Sequence, residues 1–131
     1  MLPAFELPLT IADSDIDLMG HVNNVTYLRW VQEAATAHWT HAAPAEDQAS
    51  LLWIVLRHEI DYKRAALRQD QIIARTWVGS AVRLRFERFT EILRAADRTL
   101  LASARTLWCP IDSPTMKPTA VSPAIRAFFS S

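Results

Sequence analysis

The sequence predicts an α+β domain in which an antiparallel five-stranded sheet wraps around one central helix. Three observations support this fold class: one long amphipathic helical pattern, four strand-like segments after it, and connections too short for the crossovers of parallel strands. At 131 residues the chain forms a single domain spanning residues 1–131, since domains average about 150 residues. Half of the residues are apolar and 21% are charged, which is typical of a globular chain.

The first elements are a strand predicted over residues 4–12 and a helix from Asn24 to about Trp39. Either Asn23 or Asn24 is suited to be the N-cap of this helix, because a short amide side chain can accept a free backbone N–H. Residues at helical spacing form its apolar stripe: Tyr27, Leu28, Val31, Ala34, Ala35 and His38. This apolar stripe must be buried away from water, and a sheet packed over the helix can bury it.

The rest of the chain changes to the period of two that is typical of strands. Residues 41–50 are expected to form a loop. The predicted strands span residues 53–63, 71–79, 82–93 and 99–111. The connection over residues 79–82 is too short for a crossover, so these neighbours are antiparallel. Ser122 followed by proline predicts the start of a short helix that ends near Phe129.

Charge and hydropathy exclude several classes of function. The formal net charge is zero, so nucleic acid is not an expected partner. The longest apolar run, Leu51–Leu56, is far shorter than a membrane-spanning helix, and no secretory signal is visible. The single cysteine, Cys109, fits a reducing compartment. We therefore expect a cytoplasmic protein without membrane contact, and a partly apolar outer sheet face predicts pairing with a second copy of the chain.

The densest polar cluster spans residues 13–24, directly before the helix, and includes Asp13, Asp15 and Asp17. A carboxylate here lies close to the free N–H groups of a helix N-terminus, which can polarise a carbonyl group or hold an oxyanion. Any of these carboxyls that is desolvated beside the others should have a raised pKa. The simpler alternative is that the aspartates complement the helix dipole and the asparagines only cap the helix.

This arrangement suits acyl transfer to water, with Asp17 beside the carbonyl carbon. Gly20 permits a tight turn or close approach of a ligand, and Gly20 and Asn23 are expected to contact substrate. His21 either orients substrate and assists proton transfer or serves as a structural hydrogen-bonding group.

The run Asp15–Trp30 resembles the signature D-x-D-x-x-G-H-V-N-N-x-x-Y of hotdog-fold thioesterases of the 4-hydroxybenzoyl-CoA thioesterase type. The later run Glu59–Ala65 resembles the strand and turn that follow in that family. Related plant acyl-carrier-protein thioesterases use D-x-N-x-H, which Asp17 and His21 match, whereas Met19 replaces the asparagine.

The resemblance implies a helix wrapped by an antiparallel sheet, dimers or dimers of dimers, and hydrolysis of an acyl-CoA or acyl-carrier-protein thioester at the subunit interface. It implies no metal and no cofactor. Asp17 matches the catalytic carboxylate, acting as nucleophile or general base, and the backbone N–H of Asn24 matches the group that polarises the thioester carbonyl. Two alternatives stay open: an acyl-CoA hydratase or dehydratase, and an acyl-thioester-binding module without turnover.

Charge is unevenly distributed along the chain. Residues 1–56 hold seven acids and one base, whereas residues 57–131 hold seven acids and 13 bases. Arginine suits phosphate through its planar fork. Arg83 and Arg85, predicted to share a strand face, are therefore the candidate contacts for pantetheine or nucleotide; the alternative is a solvated sheet face.

Overall fold

The computed structural model describes residues 4–128, and its sheet confirms the predicted α+β class. The five strands are all antiparallel in the order β1-β3-β4-β5-β2. The elements are β1 (Phe5–Leu9), α1 (Asn24–Ala42), α2 (Ala45–Ser50), β2 (Leu51–Tyr62), β3 (Ile72–Val82), β4 (Arg85–Arg94), β5 (Leu100–Asp112) and α3 (Pro123–Phe128). A 3-10 turn at Asp13–Asp15 precedes α1.

Helix α1 packs its apolar face against the sheet and forms the core of the molecule. Its 19 residues span about 28 Å at 1.5 Å per residue. Trp30, which the apolar stripe of the sequence did not include, is 1% exposed, and Val31 and Ala34 are buried beside it. These side chains meet small and branched residues of the sheet: Ile72, Ala74, Ile92, Leu101, Ala102 and Ala104.

Two predicted boundaries are wrong near the ends of α1. Strand β1 ends at Leu9, because this residue pairs with Ile72, where β3 begins. Residues 41–50, predicted as a loop, instead hold the end of α1 and all of α2. Pro44 caps α2, and Gln48 ties the two helices together by donating hydrogen bonds from Nε2 to carbonyl oxygens at the C-terminal end of α1.

The hairpin between β3 and β4 also differs from the prediction. Val82 pairs with Arg85, so the turn contains only Arg83 and Leu84, and Arg83 has a φ of 57°. The prediction that Arg83 and Arg85 share a strand face is wrong, because Arg83 belongs to the turn. Helix α3 begins after Ser122 as predicted, and Phe129 lies outside the described residues.

Strand β2 forms one edge of the sheet, and no other strand of residues 4–128 pairs with its outer side. It is the longer of the two edge strands, and its register shifts between Val55 and Arg57. Leu52, Ile54 and Leu56 on this strand are exposed. Among the described residues, no helix is long and apolar enough to cross a membrane.

Candidate active site

The segment from Ile16 to Val22 folds into a tight turn directly before α1. Ile16 and Val22 form an antiparallel bridge, and the backbone N–H of Asp17 donates to the carbonyl of His21 at 2.8 Å. Gly20 lies at the corner with a φ of +79°, a conformation that costs glycine little. Gly20 therefore permits the turn that presents Asp17, as the sequence suggested.

The turn is held from outside by Ala66, a fully buried residue between β2 and β3. The carbonyl of Ala66 accepts the N–H of Val22 at 3.0 Å, and its own N–H donates to the Tyr27 hydroxyl at 3.0 Å. A bridge between His21 and Leu67 extends the same contact. The position of Asp17 is thus set by a segment more than 40 residues away in the sequence.

The Asp17 carboxylate uses one oxygen for the fold and leaves the other available. Oδ1 accepts the backbone N–H groups of Met19 at 2.9 Å and His21 at 3.1 Å. Oδ2 receives no hydrogen bond from the described residues, and none of them forms a salt bridge with Asp17. Because the side chain is half-buried at the wall of a cavity, Oδ2 can meet a ligand there.

Asp15, by contrast, is a structural carboxylate. The residue is 2% exposed, and its carboxylate lies 3.0 Å from the Arg29 guanidinium. The carboxylate also accepts the N–H of Ala12 at 2.9 Å and the hydroxyl of Thr26 at 3.4 Å. Burial raises the pKa of Asp15, but the hydrogen bonds and the Arg29 charge outweigh it, so the pKa lies below its ordinary value. The expectation that a desolvated carboxyl here has a raised pKa is wrong for Asp15.

Asp13 has a third environment. It is exposed and pairs with the Nε of Arg68 at 2.6 Å on the surface. Of the three aspartates, two are engaged by arginine, and Asp17 is the one that presents a free oxygen to the cavity.

The first turn of α1 contains backbone N–H groups that have no acceptor within the helix. Asn23 is the N-cap and accepts the Val25 N–H on its side chain at 3.0 Å, while its carbonyl accepts the Thr26 N–H at 2.9 Å. The N–H of Asn24 meets no acceptor among the described residues. This donor carries the partial positive charge of the helix end, so it can polarise a carbonyl oxygen.

These groups line one cavity of about 420 Å³. The predicted residues Asp17, His21, Asn23 and Asn24 all belong to its wall, whereas Gly20 shapes the turn behind it. The His21 imidazole makes no hydrogen bond with the described residues. The arrangement brings an anionic oxygen and a free N–H to one solvent-accessible space.

Seven further wall residues were not among the predicted site residues, and four of them carry polar or charged side chains: Tyr27, Tyr62, Lys63 and Arg64. The Tyr62 hydroxyl donates to the carbonyl of Asn24 at 3.2 Å and so helps to hold the first turn of α1. Lys63 and Arg64 are exposed and supply positive charge to the wall. The signal that could have found them is the run Glu59–Ala65, which includes three of the four.

Arg83 and Arg85 lie far from Asp17 within the chain. By strand register, the start of β4 is level with Val55 of β2, whereas the cavity reaches Tyr62 at the other end of that strand. The seven residues from Val55 to Tyr62, at about 3.3 Å each, separate these two levels by about 23 Å along β2. The two arginines and Asp17 therefore do not meet in one protomer.

Fold and site together define a hotdog protein with the features of a thioester hydrolase: a helix wrapped by a sheet, and a carboxylate at the start of that helix. Residues 11–129 match the thioesterase-like superfamily. The chain belongs to this superfamily and is a thioester hydrolase by class. A search of curated proteins found no significant match.

Solved structures share the fold at low sequence identity. A 1,4-dihydroxy-2-naphthoyl-CoA thioesterase from Synechocystis has a TM-score of 0.80 and 21% identity, covering 96% of this chain and 95% of its own. A thioesterase from Thermus thermophilus, solved with coenzyme A and Zn, has a TM-score of 0.81 and 19% identity, with 95% and 90% covered. The 12:0-ACP thioesterase from Umbellularia californica has a TM-score of 0.81 and 15% identity, with 98% and 51% covered.

In the described part of the chain, no three His, Cys, Asp or Glu side chains converge on a point that could hold a metal ion.

Proposed function

We propose that this protein is an acyl-CoA thioesterase that hydrolyses a thioester to a carboxylic acid and free CoA. The observation that carries the proposal is the pairing, at one cavity, of a free Asp17 carboxylate oxygen with the unpaired N–H of Asn24. The proposed acyl carbonyl points its oxygen at Asn24 and its carbon at Asp17. Charge that develops on that oxygen is stabilised by a donor already in place.

Asp17 can act by two routes that the proposal keeps open. As a nucleophile, Oδ2 adds to the carbonyl carbon, the C–S bond breaks, the CoA thiolate takes a proton from solvent, and water hydrolyses the mixed anhydride. As a general base, Asp17 takes a proton from water and the resulting hydroxide adds to the carbon. The C–S bond then breaks, and the leaving thiolate takes the proton from Asp17. Both routes consume one water and return Asp17 as a carboxylate.

The CoA portion requires positive charge near the cavity. Lys63 and Arg64 at the wall are suited to its phosphates, since they are exposed. The same charges suit the phosphopantetheine of an acyl-carrier protein, which is the second substrate class of the proposal. A buried Cys109 without a disulfide supports a cytoplasmic setting for either substrate.

We propose that two copies pair through their β2 edges. The strand offers 12 residues with an unpaired edge and exposed leucine and isoleucine side chains, a template for a second strand. Antiparallel pairing places the end of the partner's β2 beside Leu51, and so brings Arg83 and Arg85 toward the partner's cavity. Their predicted role in binding CoA thus depends on the homodimer, from which a tetramer can be built.

A thiol-release assay tests the hydrolase. A panel of acyl-CoAs is offered to the wild type, to Asp17→Asn and to the matched control Asp13→Asn. Asparagine retains the Oδ1 acceptor that holds the turn, so Asp17→Asn should keep its Tm while kcat falls by about 10² to 10⁴. Asp13→Asn should keep wild-type rates, because it removes only a surface ion pair.

The remaining outcomes separate the alternatives. No thiol release from any acyl-CoA or acyl-carrier-protein thioester would defeat the proposal. Hydration of an enoyl-CoA would favour a hydratase. Saturable binding of a thioester without turnover would favour a binding module. Arg83→Ala and Arg85→Ala should raise KM for acyl-CoA but not for acyl-pantetheine. Sedimentation of Ile54→Asp should give a monomer if the β2 edge pairs the copies.

A further inference from the structure

A second cavity, of about 400 Å³, lies at the C-terminal end of α1. Its wall includes the indole rings of Trp39, Trp53 and Trp108, together with Leu51 and Ala35. At 1.5 Å per residue, Thr40 in its wall is about 24 Å along the helix from Asn24, so it is separate from the Asp17 cavity within one protomer.

One charged side chain, Arg88 of β4, belongs to this wall, which also includes the neutral polar residues Thr36, Thr40 and Gln48. Arg88 is 7% exposed, and no carboxylate among the described residues pairs with it. Its Nη1 donates to the hydroxyl of Thr76 at 3.1 Å and lies 2.9 Å from Nδ1 of His38. Its Nε and Nη2 meet no acceptor in the described part of the chain, so three of its five N–H donors are available.

The residues around Arg88 do not compensate its charge. His38 is buried against it, and burial together with the Arg88 charge lowers the pKa of His38 to about 4, so the imidazole is neutral at pH 7. The described residues of the cavity wall include no acid. Trp108 adds a second unsatisfied donor, because its buried indole N–H has no acceptor among the described residues.

Keeping an unpaired guanidinium out of water is costly, and such groups in folded proteins are ordinarily paired with an anion. The cavity offers a cation with free donors beside a wall of aromatic and aliphatic side chains. We infer that this cavity binds an apolar carboxylic acid, whose carboxylate is received by Arg88 and whose hydrocarbon part packs against Trp39, Trp53 and Trp108. A volume of about 400 Å³ falls in the range of small-molecule sites.

Calorimetric titration with decanoate and with decanol tests the inference, because the two probes share a hydrocarbon chain and differ in charge. The wild type should bind decanoate about 10- to 100-fold more tightly than decanol, the range expected for charge-assisted hydrogen bonds of a buried arginine. Arg88→Met should lose this preference and leave decanol affinity unchanged. Arg75→Met, which removes a half-exposed arginine of β3, should bind both probes like the wild type.

The carboxylate can belong to a free acid or to the far end of an acyl group on CoA. Hydrolysis of decanoyl-CoA and of its ω-carboxy analogue distinguishes the two sources. If the wild type favours the ω-carboxy substrate and Arg88→Met removes only that preference, the cavity serves the acyl group; if decanoate binds through Arg88 without such a preference, it serves a free acid.

The inference is overturned if the wild type binds decanoate no better than decanol, or if a folded Arg88→Met retains the preference. If Arg88→Met does not fold, Arg88→Lys decides, since it should weaken decanoate several-fold and spare decanol. Decanoate binding does not require turnover, so an inactive protein that binds decanoate through Arg88 would remove the proposed thioesterase and keep this site.

Discussion

Replacing Asn24 with proline removes one hydrogen-bond donor from the proposed active site and little else. Asn24 is the first residue of α1, a position where proline fits because the N–H there has no partner within the helix. The preceding residue, Asn23, already has φ −62° and ψ 139°, which is the conformation that a residue before proline adopts. The carbonyl of Asn24 remains to accept the Tyr62 hydroxyl.

The magnitude follows from the role of that N–H. Loss of one donor to a developing oxyanion costs about 10² to 10³ in rate, or about 3–4 kcal/mol in transition-state stabilisation. The fold loses no hydrogen bond, because no described acceptor receives the Asn24 N–H. We therefore expect kcat to fall by about 10² to 10³ at a Tm within about 2 °C of the wild type, since 1 kcal/mol shifts Tm by about 3 °C at this size.

The assay is thiol release from the best acyl-CoA substrate, with the melting temperature measured in parallel. Asn24→Ala is the matched control, because it removes the side chain and retains the backbone N–H, and it should keep kcat within a few-fold. The reasoning is refuted if Asn24→Pro hydrolyses the substrate at the wild-type rate, or if Asn24→Ala loses as much activity as the proline variant.

Three further predictions concern stability measured by urea unfolding. Asp15→Asn should lower the free energy of unfolding by about 2–4 kcal/mol at pH 7. Because folding lowers the pKa of Asp15, the difference from the wild type should shrink as the pH falls below about 4. A difference that does not change with pH would contradict this prediction. Gly20→Ala should lower the free energy of unfolding by about 1 kcal/mol through the positive φ alone, since a Cβ there meets no atom within 4 Å. Gly20→Asn should lower it less, because asparagine adopts a positive φ more readily than alanine. Equal losses in the two variants would argue against backbone strain. Burial and the Arg88 charge lower the pKa of His38 from 6.5 to about 4, so the free energy of unfolding of the wild type should fall by roughly 3 kcal/mol between pH 6.5 and pH 4. His38→Gln should reduce this pH dependence. An unchanged pH dependence in the variant would assign the effect to other groups.

The fold class was predictable because period and connection length are local properties of the sequence. The helical stripe with Val31 and Ala34 leaves one packing solution, a sheet over the helix, and short connections make that sheet antiparallel. Arg83 shows the limit of such reasoning. Arg83 and Leu84 continue the polar–apolar alternation of a strand, yet in the structure they form a two-residue turn. Which residues form a turn depends on how the two flanking strands pair, and this register is not a local property of the sequence.

The candidate site was predictable in part for a similar reason. Asp17, Asn23 and Asn24 are neighbours in sequence, so their meeting at a helix start follows from local geometry. Tyr62 reaches the same cavity from the end of β2, a contact that requires knowledge of the tertiary fold. The Arg88 cavity was out of reach as well, because the absence of an acid from its wall depends on how five elements of the described chain pack together.

The hydrogen bonds of Ala66 to the turn before α1 have a consequence for engineering. Because Ala66 accepts the N–H of Val22 and donates to the Tyr27 hydroxyl, the loop that carries Asp17 is supported by a segment outside the motif. A peptide covering the signature motif alone should be unstructured in water. A chimera with a relative must exchange the motif and the stretch around Ala66 together. Otherwise the transplanted carboxylate will lack the backbone contacts that support its loop.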